Sequence, residues 1–218
     1  MELDLKQYEE FAVSDNDTHN VVLSYLVHNC FKETVESFIS CTGISLPADY
    51  LEDIDRRKRI IEFVLSGNVL KAIELTQQLA PDLLEKNDDL RFDLLGLHFV
   101  ELICSRPSCE AVEFAKKQLR PFSEVTEAQK YMARIEDHMA LLAYDEPEKS
   151  PMFHLLSPVY RQDVADKLNR AILAHANKPS YSSLERVIQQ TTAVRQLLNQ
   201  ESGKDGFSPF SLKEFIER

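Results

Sequence analysis

Hydrophobic residues recur every three or four positions along most of this chain, which is the pattern of amphipathic α-helices. The first two predicted helices, at 21–27 and 31–39, are short and are separated by a turn at 28–30. We expect Gly43 to end the second helix, because glycine readily takes the left-handed conformation that follows a helix. Isolated helices of this length are marginal in water, so both need a partner surface, either in the same chain or in a second copy.

Three longer helices are predicted next. The first covers 50–65 and is expected to end at Gly67, and the second covers 69–79 with Asn68 as its N-cap. The third, at 89–104, is apolar almost all round, which is typical of a helix in the middle of a bundle. We therefore expect it to be buried on all sides.

Two residues on that central helix, Leu95 and Phe99, lie one helical turn apart, and both are predicted to be buried.

Another helix is expected to begin after Ser108. The second half of the chain has clear N-cap signals: a capping box at Thr126/Gln129 and another at Ser182/Glu185, and a serine followed by proline at 150–151 and at 157–158.

The predicted fold class is all-α. No segment shows the convincing alternation of apolar and polar residues that a β-strand would have. A short last helix is expected at 211–216. Residues 72–75 and 111–114 form a weak internal echo, about 39 residues apart, which is in the range of helical-hairpin repeats. We therefore expect a helical bundle of stacked antiparallel helix pairs.

Composition excludes several functional classes. The chain has only 5 glycines among 218 residues, and no glycine-rich phosphate or dinucleotide motif occurs. The formal net charge of −11 would repel a phosphate backbone, so we expect no nucleic-acid partner. No stretch is long and apolar enough to predict a membrane span, and the acidic N-terminus lacks a secretory pattern, so we expect a soluble intracellular protein.

Candidate chemistry is sparse. The four cysteines include Cys104 and Cys109 but form no CxxC pair, so we expect reduced thiols and no bound metal. His98 and Glu101 have a spacing that suits a metal pair or an acid–base pair, yet a histidine on a mostly apolar helix is more often a core residue. Since no catalytic signature is present, we predict that the protein is not an enzyme and needs no cofactor.

A run of four basic residues at 56–59 has two interpretations. The first is a nuclear localisation patch. However, Glu52, Asp53 and Asp55 each precede a basic residue by four positions, which favours a solvated helix face with ion pairs.

Residues 22–38 resemble a LisH motif, through the pair Tyr25 and Leu26, an aromatic residue after the turn, and Phe38. The next part resembles a CTLH domain, and the remainder resembles a CRA region. The resemblance covers roughly residues 18–200 in family order, and three consecutive motifs are much more specific than one. The CTLH-like residues are 53–57, Ile60, Gly67, Ala72, 81–84, Asn87, Leu90, Phe92 and 98–103, and the CRA-like residues are 141–144, Pro147, 150–151, 155–156 and 168–173.

The chain is thus similar to Ran-binding protein M-like proteins and to scaffold subunits of the GID/CTLH ubiquitin ligase. This resemblance implies a non-catalytic subunit that holds other LisH, CTLH and CRA subunits around a separate RING-type subunit, in the cytoplasm and nucleus, and supports ubiquitin-dependent degradation. The alternatives are a helical adaptor for cytoskeletal, microtubule-associated or Ran-pathway proteins and, more remotely, an unrecognised all-α enzyme. Ran-binding protein M-like chains carry a SPRY domain before LisH; about 17 residues precede LisH here, so we expect no SPRY domain.

The same resemblance implies a division of the chain and a contact surface. LisH mediates dimerisation in that family, which implies a homodimer or a hetero-oligomer. The family usually has glycine where this chain has Cys30, so either Asn29 takes the left-handed turn conformation or the motif is weakened. The implied segments are an N-terminal segment 1–17, a LisH-like dimerisation hairpin 18–50, a CTLH-like helical domain 51–108, a CRA-like helical region 109–202, and a C-terminal loop and short helix 203–218. The residues expected to form the dimer contact are Leu23, Tyr25, Leu26, Phe31, Val35 and Phe38.

Overall fold

The computed structural model describes residues 13–105, 108–124 and 128–202. Within these ranges the chain is mostly helical and contains no β-strand, which confirms the predicted all-α class. The α-helices are α1 (Asp15–His28), α2 (Lys32–Thr42), α3 (Ala48–Leu65), α4 (Val69–Leu79), α5 (Asp88–Cys104), α6 (Ser108–Phe114), α7 (Ala128–Met139), α8 (Pro158–His175) and α9 (Ser183–Ser202). Shorter helical segments are a π-helix at Ala115–Leu119 and 3₁₀ turns at Arg120–Glu124, Ala140–Ala143, Pro147–Lys149 and Phe153–Leu156.

The described residues fall into two compact units. The first unit joins 13–54 to 181–202, so it contains α1, α2, the start of α3, and α9. The second unit is the described part of 55–180 and contains the rest of α3 together with α4 to α8. The two short helices predicted as an N-terminal hairpin therefore share one unit with the last described helix of the chain.

Helix α1 begins earlier than its apolar pattern predicts. It starts at Asp15 rather than at Val21, with Ser14 as its N-cap. The Ser14 Oγ accepts a hydrogen bond of 3.1 Å from the backbone N–H of Asp17. The first turn is polar throughout, so it has no apolar periodicity, and the cap is the signal that marks this start.

The turn between α1 and α2 is made by Cys30 and not by Asn29. Cys30 has a φ of +59°, whereas Asn29 has a φ of −86° and donates a hydrogen bond of 2.9 Å from its side-chain amide to the Tyr25 carbonyl. A left-handed conformation costs a non-glycine residue about 1–2 kcal/mol. Burial of the Cys30 side chain, which is almost completely inaccessible, offsets part of that cost.

Several predicted helix ends are confirmed. Gly43 and Gly67 both have positive φ and follow α2 and α3. Ser157 caps α8, since its Oγ accepts a hydrogen bond of 3.1 Å from the N–H of Tyr160, and Pro158 occupies the first turn.

Other predicted caps behave differently. Asn68 precedes α4, but its amide donates to Ser66 Oγ (3.2 Å) and makes no cap hydrogen bond. Ser150 precedes a turn and then a 3₁₀ segment instead of opening a helix at Pro151. Thr126 and the predicted helix at 211–216 lie outside the described residues.

Helix α5 is the centre of the second unit, as its pattern predicts. Leu95 and Phe99 are both buried. One side of α5 packs with α3, α4 and α8 in a cluster that includes Ile60, Val64, Val69, Ala72, Leu94, Leu97, Val164 and Leu168. The other side packs in a second cluster that includes Phe92, Phe99, Val100, Ala111, Leu119, Phe122, Tyr131, Leu141 and Leu155.

The imidazole of His138 is buried beside the second cluster, which the sequence did not indicate. Its Nδ1 lies 2.7 Å from the Arg134 carbonyl, which only accepts, so Nδ1 carries the hydrogen and donates. Nε2 has no hydrogen-bond partner among the described residues, and a Cβ added at Gly96 would lie 2.6 Å from it. Burial therefore lowers the pKa of His138, because a protonated Nε2 would be an N–H without an acceptor.

Replacing Phe99 by Ala should lower the free energy of unfolding by about 3–5 kcal/mol, because a large aromatic side chain is removed from a fully packed site. Urea denaturation followed by circular dichroism measures this. Leu70 of α4, whose side chain is about half exposed, provides the matched control, and Leu70→Ala should cost well under 1 kcal/mol. A loss below 1 kcal/mol for Phe99→Ala would contradict the central position of α5.

Stability should fall as the pH drops below about 6.5, the pKa of an exposed histidine, because the unfolded chain then binds a proton that folded His138 excludes. The slope from this group is at most about 1.4 kcal/mol per pH unit. Unfolding free energies at several pH values between 7.5 and 5.5 should show a shallower slope for His138→Asn, whose amide can keep the hydrogen bond to Arg134. Equal slopes in the two proteins would exclude this role for His138.

Candidate protein-interaction surfaces

The six residues predicted to form the dimer contact do not share one environment. Leu23, Leu26 and Val35 are buried within the single chain. Phe38 is half-buried, with its ring edge-on to His19 at 5.7 Å between centroids. Tyr25 and Phe31 remain 37% and 46% exposed, and their ring centroids lie 6.2 Å apart. Within this set, the structure therefore brings together one exposed aromatic pair.

Helix α9 packs against α1, a contact that sequence reasoning missed. The backbone N–H of Ser183 donates to Ser24 Oγ at 2.9 Å, and His28 Nε2 lies 3.6 Å from Glu185 Oε2. Glu185 also completes the predicted capping box, accepting a hydrogen bond of 2.8 Å from the N–H of Ser182. The capping box could be found from the sequence, but nothing local to it indicated that this helix end lies on α1.

The side of α9 that faces solvent carries a row of apolar residues. Leu184, Val187, Val194 and Leu197 are all exposed. Thr191 lies one heptad after Leu184, so the row follows the three–four spacing of a helix that packs against another helix. We call these four apolar residues the α9 stripe. Helical spacing of apolar residues is visible in the sequence, but it does not indicate which face of α9 the rest of the chain covers.

The second unit contains a buried charge cluster that the sequence analysis did not predict. Asp93 of α5 is almost inaccessible, and it is bound by Arg134 of α7 and, at 3.4 Å, by Lys167 of α8. The Arg134 guanidinium also lies over the Phe92 ring, 4.2 Å from its centroid. These contacts satisfy a charge inside the core, and they connect three helices.

A more exposed part of this cluster surrounds Asp89. Its carboxylate is bound by Lys130 at 2.6 Å and by the Tyr131 hydroxyl at 3.1 Å. The hydrogen bond from Lys130 has the largest effect and lowers the pKa of Asp89; burial opposes it, and the hydrogen bond from Tyr131 lowers the pKa further. These contacts therefore link α7 to α5.

The structure holds His98 and Glu101 in separate contacts. The Glu101 carboxylate is bound by Arg161, which also donates to the Val64 carbonyl at 3.2 Å. The His98 ring packs edge-on against Phe114 at 4.8 Å, and its partial burial lowers the pKa of its imidazole. Among the described residues, no group of three or more His, Cys, Asp or Glu side chains is placed to hold a metal ion.

The basic run at 56–59 is not a uniformly solvated face, which corrects the prediction. Arg57 is completely buried, and its Nη1 donates a hydrogen bond of 2.8 Å to the side-chain carbonyl of Asn169. Ile60 follows Arg57 at helical spacing, so both side chains lie on the buried side of α3. Arg56 and Arg59 remain exposed, as predicted.

Comparison with known proteins extends over most of the chain. The family model CTLH/CRA C-terminal to LisH motif domain matches residues 53–199. The Glucose-induced degradation protein 8 homolog of Nematostella vectensis is 37% identical over 174 residues, which cover 79% of this chain and 76% of that protein. Its Dictyostelium discoideum counterpart is 31% identical over 180 residues, which cover 83% and 78%. The Ran-binding protein M homolog of Arabidopsis thaliana is 27% identical over 220 aligned positions, which cover 90% of this chain and 46% of that protein.

No helix in the described part of the chain has the length and apolarity needed to span a membrane.

Proposed function

Because the chain belongs to the family with a CTLH/CRA domain C-terminal to a LisH motif, we propose that it is a non-catalytic scaffold subunit of a GID/CTLH-type ubiquitin ligase. The observation that carries this proposal is the similarity to Glucose-induced degradation protein 8 homologs over about four fifths of the chain. The subunit would hold other LisH, CTLH and CRA subunits and a separate RING-type subunit. It would thereby support ubiquitin-dependent degradation, in the cytoplasm and nucleus.

The chemistry of the second unit is consistent with a non-catalytic role. Its buried charged residues Asp93 and Arg57 are bound to other side chains of the same unit. Such groups keep helices in one arrangement and are not presented to a substrate. A scaffold needs that rigidity, because its exposed surfaces must hold several partners at fixed positions.

We further propose that the chain self-associates through its first unit. The buried residues Leu23, Leu26 and Val35 build the hairpin itself, whereas Tyr25 and Phe31 supply exposed apolar area. The α9 stripe adds a second exposed apolar row on the same unit. Apolar rows of this kind favour a partner helix, and a two-fold contact with a second copy would use each patch twice.

A second candidate is a helical adaptor of the Ran pathway or the cytoskeleton. The match to a Ran-binding protein M homolog favours it, since it covers 90% of this chain. That match is lower in identity, and it covers less than half of the relative. We therefore rank the ligase subunit first.

The tagged chain, purified from cells, should bring down a RING-type subunit together with other LisH and CTLH subunits, as identified by mass spectrometry. Incubated with E1, a charged E2 and ubiquitin, that assembly should form ubiquitin chains, whereas the chain purified alone should form none. Chain formation by the isolated chain would contradict the non-catalytic proposal. Recovery of tubulin-associated or Ran-pathway proteins without a RING-type subunit would favour the adaptor.

Self-association is tested best by Phe31→Asp. Phe31 is the N-cap residue of α2 and makes no cap hydrogen bond, so aspartate removes the exposed ring while supplying a favourable cap. Light scattering after size exclusion at tens of micromolar should show a dimer for the wild type and a weakened dimer for the variant. At a concentration where both the wild type and Phe31→Asp are monomers, the thermal midpoint of the variant should be no lower than that of the wild type.

Ser37→Asp, at an exposed position of the same helix, is the matched control and should leave the dimer intact. Val194→Asp tests the α9 stripe, with Gln190→Asp as its control on α9. A wild type that is monomeric at these concentrations would rule out self-association through this unit. An unchanged dimer in Phe31→Asp and Val194→Asp would place the contact elsewhere.

A further inference from the structure

A groove runs between α3 and α4 of the second unit, with a volume of about 270 Å³. Its floor includes Ile60, which is buried, and its sides are the half-buried Leu75 and Leu79. Arg56 and Arg59 of α3 form one rim. The groove therefore combines an apolar base with two guanidinium groups.

The two arginines are placed to act together. They are three residues apart on α3, so their side chains leave the same side of the helix. Both are exposed; Arg56 has another interaction in the structure, whereas Arg59 makes no hydrogen bond or ion pair with any residue that the structure describes. Arginine stems can cover apolar surface while the guanidinium groups stay in water, where they bind carboxylates through paired hydrogen bonds.

The charged residues that line this groove are both arginines, whereas the protein as a whole is acidic. A chain with a formal net charge of −11 repels acidic partners in general, so a site for one requires a local concentration of positive charge. The groove, at about 270 Å³, has room for an aliphatic side chain beside Leu75 and Leu79.

We propose that this groove binds an acidic segment of a neighbouring subunit, with one leucine-like side chain against Leu75 and Leu79 and flanking carboxylates on Arg56 and Arg59. The identity of the partner as a subunit rests on the proposed scaffold role. The chemistry of the groove does not, because it follows from the apolar floor and the two cations. The site deepens the scaffold role by specifying one partner sequence type for the α3–α4 surface.

Fluorescence anisotropy tests the groove with purified chain and a fluorescein-labelled synthetic peptide in which leucines four residues apart are flanked by glutamates. Two further peptides separate the two parts of the site: one with alanine in place of each leucine, and one with lysine in place of each glutamate. The acidic leucine peptide should bind with a Kd that rises as salt increases. The alanine peptide should bind at least fivefold more weakly, and the lysine peptide should not bind.

Arg59→Glu should weaken binding of the acidic leucine peptide at least tenfold, because an attractive contact becomes repulsive. Lys117→Glu is the matched control, since it makes the same charge change at an exposed position of the same unit, and it should change the Kd less than twofold. Thermal midpoints of both variants should stay near that of the wild type.

The proposal fails if Arg59→Glu and Lys117→Glu bind equally well, or if the acidic leucine peptide does not bind at millimolar concentration. Binding that is equally strong for the alanine peptide would show a purely electrostatic contact and would overturn the apolar subsite. Because these measurements use the isolated chain, their failure is distinct from a failure to recover a RING-type subunit in cells. If a RING-type subunit is recovered but the peptide does not bind, the scaffold role stands and its partner binds another surface.

Discussion

Helix α5 must be enclosed on nearly every side, and the arrangement of the second unit follows from that requirement. Its apolar side chains are divided between two core clusters, so α3, α4 and α8 cover one side while α6 and the segments after it cover the other. The charge of Asp93 adds a second condition, since an unpaired buried carboxylate would cost several kcal/mol. Arg134 and Lys167 satisfy that charge only if α7 and α8 lie at one register against α5. Hydrophobic burial therefore supplies the driving force, and the ion cluster selects one packing.

The first unit is built on the opposite plan. Its helices α1 and α2 are short. The apolar side chains that they bury within the chain are few: Leu23, Leu26 and Val35. Even so, Tyr25, Phe31 and the α9 stripe stay exposed. A unit with a small core and exposed apolar rows gains stability from association, which is why its proposed role is contact with another chain. Under the proposed function, the first unit would contact another chain, while the buried contacts of the second unit would keep its helices in one arrangement.

The basic run at 56–59 shows how helical position changes the role of one residue type. Arg57 lies on the buried side of α3, where its charge is held by Asn169 and other groups. Arg56 and Arg59 lie on the solvent side of the same helix, and both are exposed. Four adjacent basic residues in the sequence are therefore not one patch, because a helix turns by about 100° per residue and separates neighbours onto different faces.

The sequence by itself determined the all-α class, the central position of α5, and the ends marked by Gly43, Ser157 and the capping box of Ser182 and Glu185. Those features depend on periodicity and on hydrogen bonds within about four residues, so they are visible in a short stretch of chain. The family resemblance was equally visible, because it rests on consecutive local motifs. The tertiary structure alone decided that Cys30 takes the left-handed turn, that Arg57 is buried, and that α9 lies on α1. Each of these depends on a partner distant in sequence or on the burial of a side chain, and local pattern carries no information about which distant group will be there.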